Sequence, residues 1–158
     1  MSLSNFERMM QLVTEVFDTK NDPDQLDVDQ EVIERLQGIH PATMSEYADE
    51  NGPVAWILLI PTTTELMNKF CAKEITEKEL FELTVPGIPY NAIYLCSATV
   101  LPEYRNKGLA KEMTENAINS MQEKHKIKAL FVWPFSKEGA TLAEAIAHLT
   151  KLPLLKRE

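Results

Sequence analysis

Residues 92–110, AIYLCSATVLPEYRNKGLA, are the stretch that decides the fold of this chain. A short apolar strand runs into V-x-P and then into R-x-x-G-x-A, from which an amphipathic helix begins directly. The first turn of a helix presents backbone N–H groups that have no partner within the helix, and the helix dipole adds partial positive charge there. A glycine in such a turn lets a ligand approach the backbone closely. This order of elements therefore predicts a binding site for an anion.

The charges in this turn indicate that the anion is a phosphate. Acidic side chains usually suit the first turn of a helix, whereas this one carries Arg105 and Lys107. Each cation beside the dipole costs on the order of 0.3–1 kcal/mol unless an anion lies there. The alternative is an ordinary strand-to-helix connection with a turn glycine and two solvated cations, because R-x-x-G-x-A is a loose pattern. Neither the dinucleotide fingerprint G-x-G-x-x-G nor the P-loop G-K-[ST] is present in the sequence.

The same segment resembles the signature motif of the GCN5-related N-acetyltransferase (GNAT) family, which is a strand, V-x-P, [QR]-x-x-G-x-[GA] and a long helix. The resemblance is close over residues 92–110, and the order of elements fits more loosely from about Phe6 onward. It implies that the loop and helix start hold the pyrophosphate of acetyl-coenzyme A (acetyl-CoA), and that the strand binds the pantetheine arm through its backbone. The cofactor-binding residues that it implies are Ala98, Thr99, Val100, Arg105, Asn106, Lys107, Gly108, Leu109, Ala110 and Lys111.

Length and composition are those of one globular domain. A chain of 158 residues buries about two-thirds of its unfolded surface, so we expect a single GNAT-like domain over residues 1–158. The longest apolar run, residues 54–60, is too short to span a membrane, and the N-terminus lacks the charged-then-apolar pattern of a signal peptide. The two cysteines form neither a metal-binding spacing nor a disulfide framework. These observations predict a cytoplasmic protein with no metal and no membrane partner.

Charge is distributed unevenly along the chain. Residues 15–50 hold eleven acidic side chains against two basic ones, whereas residues 105–128 hold six basic side chains against three acidic ones. The net charge of −8 argues against nucleic-acid binding, which needs a basic surface. The basic side would receive a polyanionic cofactor, and the acidic side could attract a cationic acceptor. The alternative is that each charge run is a solvated face.

Hydrophobic periodicity predicts a mixed α/β fold. Strand, helix and strand from Ala92 onward predict a right-handed βαβ crossover with a parallel pair, and the Asn51-Gly52 turn predicts an antiparallel hairpin upstream. A helical insertion is expected at about residues 62–88, with Thr64 and Thr76 capping two short helices. The predicted fold class is a mixed, mostly antiparallel sheet with one parallel pair and helices on both faces, as in acyl-CoA N-acyltransferases.

The sequence departs from the family pattern in three places. The N-terminal strand of the family is missing, the insertion replaces a tight turn, and the chain after the last helix leaves room for only a short final strand. An open sheet edge can be covered by another chain, which makes a homodimer one option.

Amide formation from a thioester needs a group that accepts the amine proton, donors for the developing oxyanion, and a proton for the departing thiolate. The family often places a Glu on the signature strand as base and a Tyr in or just after the last helix as acid, whereas the matching positions here hold Tyr94 and His148. A tyrosine in an apolar strand, such as Tyr94, is more often a packed side chain than a catalytic residue. His148 could serve as an acid near neutral pH. The insertion offers further acids that are equally readable as surface charges, namely Glu65, Glu79 and Glu82.

Two functions remain open. The first is an acetyl-CoA-dependent N-acetyltransferase with direct transfer to an amine, either a cationic small molecule or a protein amino group. The second is a non-catalytic acyl-CoA-binding or partner-binding module that kept the fold. The cofactor loop favours the enzyme, and the absent Glu and Tyr favour the module, although several family members use water in place of a side-chain base. We predict the enzyme, an acyltransferase of the GNAT type.

Overall fold

The computed structural model describes residues 4–20, 30–105, 107–134 and 137–157, which form six α-helices and one sheet of five strands. The helices are α1 (Asn5–Lys20), α2 (Gln30–Ile39), α3 (Thr64–Cys71), α4 (Glu77–Leu83), α5 (Leu109–Gln122) and α6 (Lys137–Thr150). The strands are β1 (Met44–Asp49), β2 (Gly52–Thr62), β3 (Ala92–Val100), β4 (Ala129–Val132) and β5 (Leu154–Lys156). A 3₁₀ turn, Pro102–Tyr104, lies between β3 and α5. Within these ranges, the helices all fall short of the length and apolar character that crossing a bilayer requires.

The sheet is mixed, and its strands lie in chain order. β1, β2 and β3 pair antiparallel, while β3, β4 and β5 pair parallel. The sequence predicted one parallel pair, and the second arises because α6 carries the chain back to start β5 in the direction of β4. The helices α5 and α6, which make these two crossovers, contact each other. The predicted class, a mixed α/β sheet with helices on both faces, is confirmed, with one more parallel pair than expected.

Two short helices lie between β2 and β3, where the helical insertion was predicted. The cap of α3 is Thr63 and not Thr64, because Thr63 has an extended backbone (φ −105°, ψ 155°) and its hydroxyl accepts the N–H of Leu66. Thr76 forms the predicted capping box of α4 with Glu79. Local side-chain-to-backbone hydrogen bonds therefore begin both helices.

The insertion covers the sheet face that carries Tyr94 and Phe131. These two residues are paired in register across β3 and β4, and their rings stack with centroids 5.0 Å apart. Phe70 of α3 meets both rings edge-on, at 5.0 Å and 5.8 Å. All three side chains are fully buried. This aromatic cluster holds α3 against the two strands where they run side by side.

Strand β3 runs past the end of its parallel partner. Pairing with β4 ends at Leu95 opposite Val132, whereas β3 continues to Val100 and stays paired with β2 along that length. The backbone of residues 96–100 therefore presents one edge to a gap beyond the end of β4. At about 3.3 Å per residue, this edge is roughly 13 Å long. The gap leads from the aromatic cluster toward the loop before α5.

Two histidines join the end of α2 to the turn after α5. His40 Nδ1 accepts the backbone N–H of Ala42 at 2.9 Å, and His125 Nδ1 accepts that of Tyr90 at 3.2 Å. The two imidazole rings meet edge-on with centroids 5.9 Å apart. The start of β1, the approach to β3 and the end of α5 are thereby held at one place.

We expect the protein to lose stability as the pH falls below about 6.5. Burial lowers the pKa of His40 below its ordinary value of 6.5, the charges of His125 and Lys124 lower it further, and Glu123 partly opposes them. When the pKa of a histidine is lower in the folded protein than in the unfolded protein, protonation favours the unfolded state. The protein is therefore most stable above the unfolded-state pKa, and it loses stability as the pH falls below that value. Urea denaturation at about pH 7.5 and about pH 5.5 should therefore give a lower free energy of unfolding at the lower pH.

The substitution His40→Gln should reduce this pH dependence. The exposed residue His148 provides the control, because His148→Gln should leave the pH dependence of the parent unchanged. An unaltered pH dependence in the His40 variant would contradict the interpretation.

Candidate functional site

The loop from β3 into α5 has the backbone that the motif predicts. Gly108 is the N-cap of α5 with φ +77° and ψ 8°, in the left-handed region that glycine adopts without steric cost. A Cβ built on Gly108 meets none of the described atoms within 4 Å, so the space at the helix start is open on this side. The N–H groups of the first turn point toward this end of the helix. The backbone is therefore suited to an anion that approaches closely.

The predicted cations lie exposed around this helix start. Arg105 lies before it, and its Nε donates to the carbonyl oxygen of Val100 at 3.0 Å. The Nζ of Lys107 lies 5.7 Å from the centroid of the Tyr104 ring. Lys111 is in the first turn of α5. Three positive charges thus lie at one end of the helix.

Two carboxylates near the loop are held by hydrogen-bond donors from other elements. Glu103 accepts two hydrogen bonds of 2.6 Å from Arg8 of α1, and this pairing lowers the pKa of Glu103 to about 2. Asp49 accepts hydrogen bonds from the Tyr104 hydroxyl at 2.7 Å and from Asn5 at 2.9 Å. The bond from Tyr104 is the main reason that the pKa of Asp49 is lowered. These contacts join α1 and the β1–β2 hairpin to the loop, and the guanidinium of Arg8 offsets the negative charge of Glu103.

The predicted cofactor-binding residues lie at the end of β3, in the loop after it and in the first turn of α5. Ala98 is exposed and Thr99 is half-buried at the end of β3, and Leu109 and Ala110 are half-buried in the first turn of α5. Asn106 lies outside the described residues. The others of the predicted set are Val100, Arg105, Lys107, Gly108 and Lys111. Their role in cofactor binding stays a prediction, and the described part of the chain holds no cluster of three His, Cys, Asp or Glu side chains suited to a metal ion.

The two candidate catalytic residues lie in different environments. Tyr94 is fully buried, and its hydroxyl donates to Oε2 of Glu77 at 2.5 Å. Burial raises the pKa of Tyr94 well above its ordinary value, and the charge of Glu77 raises it further. His148 is exposed in the last turn of α6. A part for either residue in catalysis stays a prediction.

Sequence reasoning missed the buried carboxylate beside Tyr94. Glu77 is the first residue of α4 and only 2% exposed, and its Oε2 also lies 3.9 Å from Sγ of Cys96. The sequence does carry a signal for it, since Glu77 shares a helix face with the buried Leu80 and Phe81 at i+3 and i+4. The insertion acids for which the sequence left a catalytic role and a surface role equally open are all exposed, namely Glu65, Glu79 and Glu82.

Arg157 is a second missed residue, and it is 5% exposed. Its guanidinium carbon lies 4.5 Å from the ring centroids of both Phe70 and Trp133, within the range of a cation–π interaction. The backbone N–H of Arg157 donates to the carbonyl of Val132 at 2.9 Å, where β4 ends. A buried cation and a buried carboxylate thus lie near the point where β3 and β4 part.

Comparisons with known proteins identify the class of protein that this fold and loop define. A family model described as an acetyltransferase (GNAT) domain matches residues 80–140, which include β3, the loop and α5. No curated protein matches the sequence significantly. This match confirms the family resemblance over residues 80–140, and it supports the predicted class of enzyme, an acyltransferase of the GNAT type.

Three solved structures match the chain at low sequence identity. The NatB acetyltransferase complex bound to a bisubstrate inhibitor matches with a TM-score of 0.52 and 13% identity, over 84% of this chain and 67% of that chain. Naa20 of Chaetomium thermophilum with a bisubstrate analogue matches with a TM-score of 0.46 and 13% identity. The match covers 89% of this chain and 65% of the Naa20 chain. A tetramutant of the BH1408 protein from Bacillus halodurans matches with a TM-score of 0.48 and 12% identity. The match covers 94% of this chain and 87% of the BH1408 chain. The first match shows the common fold, and the chain spans about two thirds of the length of the first two structures.

Proposed function

We propose that this protein transfers the acetyl group of acetyl-CoA directly to an amine. The observation that carries the proposal is the continuity between the turn at Gly108 and the β3 edge over residues 96–100. The turn offers backbone N–H groups and positive charge to a pyrophosphate, and the strand edge offers backbone hydrogen-bonding groups to an extended pantetheine arm. The open space at Gly108 and the exposed cations Arg105, Lys107 and Lys111 fit a polyanion.

Acetyl-CoA supplies an acyl thioester to this site. The amine nitrogen attacks the thioester carbonyl carbon, a C–N bond forms and the C–S bond breaks. The nitrogen loses a proton to solvent, and the coenzyme A thiolate takes one up. The cofactor arm, following the strand edge back from Val100, would place its thioester near Cys96. The part of this chain is to hold the reacting groups at the gap between β3 and β4.

The acceptor that we propose is a cationic amine, either a small molecule or a protein amino group. The net charge of −8 and the acidic side chains at the β1–β2 hairpin, Glu46, Asp49 and Glu50, would attract a cation by long-range electrostatics. The acidic residues Asp24, Asp27 and Asp29, which the sequence analysis includes in this surface, lie outside the described residues. A cytoplasmic location and a homodimer are part of the same proposal.

The experiment that tests the proposal has two stages. Calorimetry with acetyl-CoA, coenzyme A and desulfo-coenzyme A should show binding of all three, because each carries the pyrophosphate. A turnover screen with polyamines, aminoglycosides and lysine peptides should then show acetylation of a cationic amine and none of an acidic one. Binding without any turnover would favour the non-catalytic module, for which the buried Tyr94 on the signature strand is the supporting observation. Absence of binding would reject the transferase and the acyl-CoA-binding module, and it would leave only the partner-binding module.

Cofactor affinity should fall as the salt concentration rises. If Arg105, Lys107 and Lys111 contact phosphates, then salt screens these exposed pairs, since the Debye length falls from about 10 Å at 0.1 M to about 3 Å at 1 M. Calorimetric titrations of acetyl-CoA across this range measure the effect. Lys107→Gln should weaken binding and flatten the salt response, whereas the same change at the exposed Lys73 should do neither. A flat response in the parent would favour the solvated-face interpretation of these cations.

A further inference from the structure

We propose that Glu77 is a positioning residue for acyl transfer, which fixes a negative charge and two side chains at the closed end of the gap between β3 and β4. This inference rests on the proposed function, because it concerns the same reaction. Glu77 belongs to the insertion and not to the signature strand, yet its carboxylate reaches that strand at Tyr94.

The geometry ties one carboxylate oxygen to two residues of β3. Oε2 of Glu77 lies 2.5 Å from the Tyr94 hydroxyl and 3.9 Å from Sγ of Cys96. Cys96 is the extra residue of a bulge in β3, between Leu95 and Ser97, and its thiol reaches the same carboxylate as the Tyr94 hydroxyl. Tyr94 is fully buried and Cys96 is half-buried. The carboxylate is therefore separated from the gap by one side chain, that of Cys96.

Folding alone does not favour a carboxylate in this place. Glu77 lies on the helix face of Leu80 and Phe81, which pack into the apolar core, and it is 2% exposed itself. Burial of an ion costs several kcal/mol even after relaxation, and replacement of buried ionic groups by apolar residues is often neutral or stabilising, by about 1–4 kcal/mol. Apolar residues in place of both Glu77 and Tyr94 would avoid this cost, whereas an apolar residue at position 77 alone would leave the buried Tyr94 hydroxyl without its acceptor. A buried charge next to a cleft is the arrangement expected where charge serves the chemistry.

The other titratable groups around Glu77 come from three elements. Glu77 contacts Tyr94 and Cys96 of β3, and Arg157, which follows β5, acts on both Tyr94 and Cys71 of α3. Burial raises the pKa of both Tyr94 and Cys71, and the positive charge of Arg157 works against burial at each of them. Glu77 and Arg157 therefore act with opposite sign on the same buried phenol.

The charge of Glu77 has a definite use in the reaction. When the C–N bond forms, the attacking nitrogen becomes positive, and it then loses its proton to solvent. A fixed carboxylate behind Cys96 stabilises this positive charge in a site of low dielectric. Glu77 also holds the Tyr94 hydroxyl and the Cys96 thiol in one orientation, which shapes the closed end of the gap.

The test removes the charge and keeps the shape. Glu77→Gln can still accept the hydrogen bond of Tyr94, so we expect acetyl-CoA to bind with the affinity of the parent. With acetyl-CoA saturating and spermidine or a lysine peptide as acceptor, kcat should fall about tenfold or more, and the kcat–pH profile should move to higher pH. Glu77→Asp, which restores the charge, should recover part of the loss. Glu82→Gln is the matched control, because Glu82 is an exposed glutamate of the same helix.

The outcomes separate this inference from the proposed function. A Glu77→Gln protein with a lower melting temperature but the kcat and pH profile of the parent would overturn the inference and leave the function standing. If that variant does not fold, Tyr94→Phe removes the hydrogen bond that fixes the carboxylate, and a kcat and pH profile equal to those of the parent would then overturn the inference. A parent that binds acetyl-CoA without acetylating any amine overturns the inference as well, whereas a parent that binds no acetyl-CoA rejects the function itself.

Discussion

Replacement of Gly108 by Val is expected to lower the affinity for acetyl-CoA about tenfold or more, which corresponds to ~1.4 kcal/mol of binding free energy. The side chain would fill the open space at the start of α5 and keep a pyrophosphate away from the N–H groups of the first turn. Calorimetric titration of the variant and the parent with acetyl-CoA measures the difference. Equal affinity would mean that the pyrophosphate binds elsewhere.

Two further substitutions separate obstruction of the site at Gly108 from backbone strain at that position. At φ +77° a residue with a side chain is strained by roughly 1–2 kcal/mol, so Gly108→Val also weakens the start of the helix. Asn tolerates the left-handed conformation better than other residues, so Gly108→Asn should obstruct the site with less loss of stability. Gly87, in the turn before β3, is exposed with φ +85°, and a Cβ there also meets none of the described atoms within 4 Å. The same substitutions at Gly87 should cost similar stability without any loss of cofactor affinity.

Replacement of Phe70 by Ala is expected to lower the free energy of unfolding by about 3–5 kcal/mol. Phe70 packs edge-on against the rings of Tyr94, Phe131 and Trp133, and the guanidinium of Arg157 lies over its face. Truncation therefore leaves a cavity between the insertion and the sheet, and it removes one of the two rings against which Arg157 lies. Urea denaturation at neutral pH measures the loss.

The control for this variant is an apolar residue of the insertion that is not buried. Leu83 of α4 is 50% exposed, so Leu83→Ala should change stability by no more than about 0.5 kcal/mol. A loss of less than about 1 kcal/mol in Phe70→Ala would mean that the insertion is not held to the sheet by this cluster.

Much of the fold follows from interactions between residues close in sequence. The Asn51-Gly52 turn predicted the β1–β2 hairpin, and the Thr76–Glu79 capping box predicted the start of α4, because each depends on a few neighbouring residues. The same reasoning placed Gly108 at the start of α5, where its left-handed backbone agrees with the role that the motif gives a glycine. The parallel pairing of β3 and β4 followed from the helix between them.

The candidate cofactor loop was therefore accessible from sequence, because it is one continuous segment whose residues act mainly through their backbone. The polar cluster behind it was not accessible in that way. Glu77, Tyr94 and Arg157 are far apart in the chain, and they become neighbours only when α4, β3 and the segment after β5 pack around Phe70. The i+3 and i+4 spacing of Glu77 to Leu80 and Phe81 indicates a shared helix face, but it does not show which residues of other elements meet the carboxylate there. What the sequence by itself determined is the order of elements and the glycine turn before α5, since both depend on local backbone preferences. The tertiary structure alone decided which polar side chains lost their contact with water, because burial depends on which surfaces meet.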